Sequence, residues 1–274
     1  MNQIKLEVLI PVKGRNTLSQ TITSLVNIEL IDLITIITGD DLIDLEDKLL
    51  NNKKIRKLNI KDNNNFQKSY YLNIGIQESL GKIILVSDAD IIWNSNTIKE
   101  LYNIVNSNNN NIAHIADVQE SQAENYAIKR LRFMPIINKI KSKYFSIKII
   151  PDQLYSQRPG CGLICIHRQS LLNLGGYNER LRGWGWEDQD LLIRAQILDY
   201  KIVKISQVIH LSHEDNLRNQ SGQNPINTRN QNILTSCEML SQGIIKGSLN
   251  DFITDSSLTI NIEIPTFINN CKEI

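Results

Sequence analysis

Short unbroken apolar runs alternate along this chain with segments of helical period. Lys5 to Val12 reads as a buried strand through Pro11, followed by the polar turn Lys13-Gly14-Arg15-Asn16 and a helix with Leu18, Ile22, Leu25 and Val26 on one side. Leu33 to Thr38 is a second strand, leading through Gly39-Asp40-Asp41 into an expected helix over 42–50. Phe66-Gln67-Lys68-Ser69 opens a helix running through Leu72, Ile76 and Leu80. Ile83 to Ser87 is the clearest strand, apolar on both faces as a central parallel strand should be. Leu163 to Ile166 and Ile202 to Ile209 add two more, and Leu191, Leu192, Ala195, Ile197 and Leu198 form the stripe of an amphipathic helix. The segment from Ala123 to Lys148 is rich in lysine and arginine and predicts partly helical structure with a solvated basic face.

Composition narrows the class. With 274 residues and 41% hydrophobic residues, the chain is long enough for one large α/β domain or two small ones. A net charge of +1 predicts no nucleic-acid partner. Cys161, Cys165, Cys237 and Cys271 lack zinc-type spacing, and the first two read as buried thiols within a strand. Neither a signal segment nor a bilayer-length apolar run is present, so the expectation is a cytoplasmic protein, with a basic face that would suit peripheral contact at the inner side of a membrane.

Three groups of polar residues carry candidate chemistry. Gly183-Trp184-Gly185-Trp186-Glu187-Asp188-Gln189-Asp190 places flat aromatic faces beside carboxylates at a helix start, where negative charge is favoured. Such a loop suits binding a sugar ring and taking a proton from its hydroxyl. Asp88 and Asp90 follow the central apolar strand directly and must be met by water, cations or a metal. His210 and His213, three apart at a strand end, are either packed core or ligands. The turn Lys13 to Asn16 is either a solvated loop or a diphosphate site at a strand's carboxyl end. Asp40 or Asp41 is either a helix cap or a polar contact.

The run from Gly175-Gly176-Tyr177-Asn178-Glu179 through GWGWED resembles the acceptor-side motif of family 2-like GT-A glycosyltransferases, most closely the β-1,4-galactosyltransferase and polypeptide N-acetylgalactosaminyltransferase families. Five motifs between about residues 7 and 235 fall in the families' order. The resemblance implies a GT-A fold, with a Rossmann-like mixed sheet flanked by helices. It implies Asp188 as catalytic base and Glu187 as binder of acceptor hydroxyls, with Trp184, Gly185 and Trp186 shaping the sugar site. Trp186 stands where those families usually carry a second glycine. On the donor side it implies nucleotide contacts from Pro11, Lys13 and Arg15, from Asp40, and from Phe66 on the uracil with Lys68 near the phosphates. Asp88-Ala89-Asp90 would be the Asp-x-Asp motif, with Asp90, His210 and His213 as metal ligands. Pro159-Gly160-Cys161-Gly162 is similar to the turn that lets the donor sugar approach, and 216–232, with Arg218, Asn224, Pro225 and Arg229, to a loop that closes over the donor.

The expected function is therefore inverting transfer of a hexose or N-acetylhexosamine from a UDP-sugar to a glycan or glycolipid hydroxyl, dependent on Mn²⁺ or, less suitably, Mg²⁺. A non-catalytic sugar-nucleotide-binding subunit, and a retaining transferase or hydrolase on the same fold, are the alternatives. The expected division is a domain over 1–235, split into a nucleotide half (1–95) and an acceptor and metal half (96–235), and a C-terminal extension over 236–274.

Overall fold

A computed structural model describes residues 4–39, 45, 49, 51–61, 66–122, 132–152, 158–213 and 224–269. Eight strands form one mixed sheet in the order β3-β2-β1-β4-β9-β6-β10-β5. They are β1 (Leu6–Val12), β2 (Leu33–Thr38), β3 (Ile55–Asn59), β4 (Ile83–Val86), β5 (Ile91–Ile92), β6 (Asn111–Glu120), β9 (Arg158–His167) and β10 (Lys201–His210). The half from β3 to β4 is parallel. β9 runs antiparallel between β4 and β6, and β10 returns parallel to β6. This α/β architecture is the one expected.

The central strands are buried on both faces because helices cover both. In β4, Ile83 and Leu85 point into one apolar cluster with α1 (Leu18–Val26) and α3 (Ser95–Ser107), through Leu18, Ile22, Ile98 and Leu101. Ile84 and Val86 point into the opposite cluster with Tyr71 and Ile76 of α2 (Lys68–Glu78), Leu171 of α4 (Arg168–Asn173) and Leu191 of α5 (Glu187–Ile197). Alternation of side chains along a strand sends neighbouring residues to opposite layers. Helix α2 stops at Glu78, short of the expected Leu80, which is 60% exposed. The buried carboxylate of Glu7 accepts hydrogen bonds from the Leu80 and Gly81 amides at 2.7 and 2.8 Å and draws the chain out of the helix.

The described part of the basic segment, from Arg132 on, is strand where partly helical structure was expected. Residues 132–152 form a hairpin of β7 (Arg132–Lys141) and β8 (Tyr144–Asp152), extended by β11 (Thr259–Glu263) into a second, three-stranded sheet. Phe145, Ile147 and Ile149 recur every second residue and face inward, a strand period set between lysines. They pack on Ile193 and Ile197 of α5 and on Ile233 and Leu240 of α6 (Pro225–Ser241). The division expected at 235/236 falls inside α6, and Ile260 and Ile268 (in α7, Thr266–Asn269) share this third core. Among the described residues no helix is long and apolar enough to cross a membrane.

Candidate active site

The carboxyl ends of β1 and β4 lie side by side and open onto the site, as expected of an open α/β sheet. The turn carrying Asp88 and Asp90 is fastened from three directions. Thr17 Oγ1 donates to the Ala89 carbonyl at 2.9 Å, the Leu211 amide donates to the Asp90 carbonyl at 2.7 Å, and the Trp93 indole donates to Ser87 Oγ at 2.9 Å. β5 pairs with the end of β10, Ile91 opposite His210, and this register delivers the histidines to Asp90.

His213 Nε2 stands 3.1 Å and His210 Nε2 3.4 Å from Asp90 Oδ2, and one ligand atom from each of the three residues lies within 4.8 Å of the others. Two ligands each about 2 Å from one ion stand within about 4 Å of one another, and both imidazoles meet this against Asp90 Oδ2, so the spacing to the carboxylate fits a shared cation. One carboxylate with two imidazoles suits a borderline divalent ion of the Mn²⁺ kind. Glu120, which sequence reading missed, lies opposite His210 in the β6–β10 register, and its Oε2 is 2.6 Å from His210 Nδ1. A carboxylate on Nδ1 fixes the tautomer that leaves Nε2 as the ligand atom. Arg15 Nη1 is 3.3 Å from His213 Nε2, so the turn after β1 does reach the cluster. Lys13 lies half-buried in the same turn, and Pro11 is buried in β1 opposite Ile37.

A second constellation surrounds Lys68 at the start of α2. Its Nζ is 3.1 Å from Asp88 Oδ1, 3.1 Å from Asp188 Oδ2 and 3.6 Å from Glu187 Oε1. Burial alone would lower the Lys68 pKa, but the three carboxylates together raise it well above the ordinary value, so the ammonium is held charged. Burial pushes Glu187 up to about 7; the charge of Asp188 adds to the rise, and Lys68 opposes it. Lys68, expected near phosphates, stands here among three carboxylates. Phe66 lies edge-on to Tyr71 with ring centroids 4.7 Å apart.

Local backbone explains how the carboxylates converge. Glu187 and Asp188 occupy the first turn of α5, entered through Gly183, Gly185 and Trp186 at φ of 73°, 96° and 78°. Trp186 therefore holds a conformation natural to glycine at a cost of about 1–3 kcal/mol. Its ring is 6% exposed and packs in the third core while also lining the pocket, and Trp184 is the more open of the two. Gly162 clears space for the Asp188 carboxylate, since a Cβ there would stand 2.5 Å from Asp188 Oδ2. Asp190, the third acid of the run, is structural: it accepts from Arg194 Nε at 2.8 Å and from Ser236 Oγ at 2.7 Å. Arg194 in turn donates to the Leu174 and Gly176 carbonyls. Asn73 of α2 donates to the Tyr177 carbonyl at 3.0 Å and accepts from the Tyr177 amide at 2.7 Å, clasping the double-glycine turn.

Asp88, Lys68, Glu187, Asp188, Trp184, Gly185 and Trp186 thus line one pocket, roofed by Gly160 to Gly162. Asp40 and Arg218 lie outside the described residues. Instead of a loop, residues from Pro225 form α6, started by Asn224 Oδ1 accepting from the Ile226 amide at 2.9 Å, and Arg229 reaches the pocket from that helix.

Among solved structures, the chain is similar to GalNAc-T7 with UDP, GalNAc and Mn²⁺, at 17% identity and a TM-score of 0.59, over 87% of this chain and 48% of that one. It is also similar to Staphylococcus aureus TarS 1-349 in complex with UDP-GlcNAc, at 13% identity and a TM-score of 0.56, over 86% and 66%. The chain thus spans about half of the first and two thirds of the second, and at these identities the likeness establishes the GT-A fold. No curated protein sequence matches it. The family model for glycosyltransferase like family 2 matches residues 15–226, which is most of the chain and includes both constellations. The chain belongs to that family.

Proposed function

We propose that this protein transfers a hexose or N-acetylhexosamine from a UDP-sugar to an acceptor hydroxyl with inversion at the anomeric carbon. The observation that carries this reading is the adjacency of two unlike sites in one turn. Asp90 faces two imidazoles, while Asp88, two residues away, shares Lys68 with Asp188. One site would suit a cation that offsets diphosphate charge; the other would suit an acceptor hydroxyl. UDP and Mn²⁺ in the GalNAc-T7 structure and UDP-GlcNAc in the TarS structure support the same donor class here.

Asp90, His210 and His213 would hold the ion, which when bound would offset charge on the leaving diphosphate. Arg15, beside His213, adds a fixed positive charge on that side. Asp188 accepts the proton from the acceptor oxygen as that oxygen bonds to the anomeric carbon. The carbon–oxygen bond to the diphosphate breaks, and UDP leaves with the electron pair. A base on the attacking face yields the inverted linkage. Lys68 balances the charge of Asp88 and Asp188 and keeps the catalytic carboxylate in register with the Asp88–Asp90 turn.

Titration of UDP and several UDP-sugars, with Mn²⁺ and with chelator, tests the reading. Binding that requires metal and is lost in Asp90→Ala supports it. Equal binding with chelator would remove the metal from the mechanism.

A further inference from the structure

The pocket beside Asp188 is lined by more cations than the transfer step uses. Lys68 stands among Asp88, Glu187 and Asp188. Arg132, at the start of β7, and Arg229, from α6, line the same pocket together with Phe133 and Trp184. Arg229 is nine-tenths buried, and its side chain runs across Gly185, where an added Cβ would meet its Cβ at 3.1 Å. Its guanidinium lies 4.9 Å from the Phe133 ring centroid and donates to Asn230 Oδ1 through Nε at 3.2 Å and Nη2 at 2.8 Å. A planar guanidinium fixed against an aromatic ring is pre-organised for a carboxylate or phosphate.

These arginines stand apart from the cation site. None of Asp90, His210 and His213 lines the pocket, and the arginine beside those residues is Arg15. The aromatic walls and the base, by contrast, are shared with Arg132 and Arg229. We propose that the acceptor is an anionic saccharide, whose carboxylate or phosphate group is received by Arg132 and Arg229 while its reacting hydroxyl faces Asp188. This rests on the transferase reading above and gives it an acceptor class.

The test uses the full chain saturated with UDP and Mn²⁺, with tryptophan fluorescence as the signal, since Trp184 lies in the pocket. A neutral gluco-oligosaccharide, its uronic-acid counterpart and its phosphorylated counterpart are titrated in turn. At least one anionic sugar should bind roughly tenfold or more tightly than the neutral one, with the advantage shrinking as salt rises. The uronate and phosphate arms identify which anion is read. Arg132→Gln and Arg229→Gln should each remove most of that advantage while UDP affinity stays within about twofold. Arg132→Gln decides the matter if the more buried Arg229 variant does not fold. Anionic sugars that bind no better than neutral ones would overturn the proposal. So would arginine variants that weaken UDP instead, which would assign these side chains to the donor. Absence of metal-dependent UDP binding in the unaltered protein would overturn the transferase reading itself, and this proposal with it.

Discussion

Lys68 Nζ and Asp188 Oδ2 stand 3.1 Å apart although 120 residues separate them in sequence. The same ammonium reaches Asp88 Oδ1 at 3.1 Å, so one cation ties the acid of the turn after β4 to the proposed base. Replacing Asp188 by asparagine keeps the shape and removes the proton acceptor. Transfer by Asp188→Asn should fall by roughly 10²–10⁴-fold with UDP–Mn²⁺ affinity nearly unchanged, as initial rates and a titration would show. Loss of donor binding in that variant would count against a base role.

Removing the cation has a different signature. Lys68→Met leaves three neighbouring carboxylates without their shared counter-charge, and the protein should lose roughly 3 kcal/mol of stability. Denaturant unfolding measures this. An unchanged midpoint would mean that water screens the acids as well as Lys68 does.

Glu120 offers a test of positioning in place of ligation. Its Oε2 holds His210 Nδ1 at 2.6 Å, and Glu120→Gln weakens that anchor without touching Asp90 or His213. Mn²⁺ affinity followed by electron paramagnetic resonance should drop by about 10–100-fold. If affinity is unaltered, His210 does not depend on Glu120 for its orientation.

Glu187 predicts a pH dependence. Burial raises it from an ordinary 4.5 to about 7, so the folded protein takes up this proton more readily than the unfolded chain. Its contribution is fully present below the unfolded pKa and is lost as pH rises through about 7. Relative to the unaltered protein, metal-free Glu187→Gln should gain in melting temperature between about pH 5 and about pH 8. A difference that is flat or falls with pH would contradict the raised carboxyl.

Trp186→Gly sets two effects against each other. Loss of a buried aromatic costs about 3–5 kcal/mol, while relief of the positive φ returns about 1–3 kcal/mol. A net loss of about 2 kcal/mol is expected in denaturant unfolding. A gain in stability would show that the ring packs poorly and is retained for the pocket.

The sequence was most legible where one element carries its own signal. The apolar runs of β1 and β4, the Asp88–Asp90 turn that follows one of them, and the acidic start of α5 are each local patterns, and each stands where expected. Partners set by strand register were not legible. Nothing about Glu120 marks it until β6 and β10 align it with His210. The resemblance says nothing of the three acids around Lys68, which come from the turn after β4 and from the start of α5. The lysines of 139–148 hide the alternation of Phe145, Ile147 and Ile149, so the hairpin that replaces part of the expected helical structure is not legible in the pattern. The far tail carries no motif, because the partner of β11 is β8.

The antiparallel seat of β9 between β4 and β6 also governs how the chain assembles. On a ribosome the parallel layer from β1 to β4 emerges first, and the outer edge of β4 stays open until the chain has been made through His167. That edge is apolar on both faces, the kind of strand that recruits stray partners. Closing it requires a contact between distant parts of the sequence, which slows folding. Fragments that end before β9 are therefore expected to aggregate, and a holdase acting on nascent chains would find its target in β4.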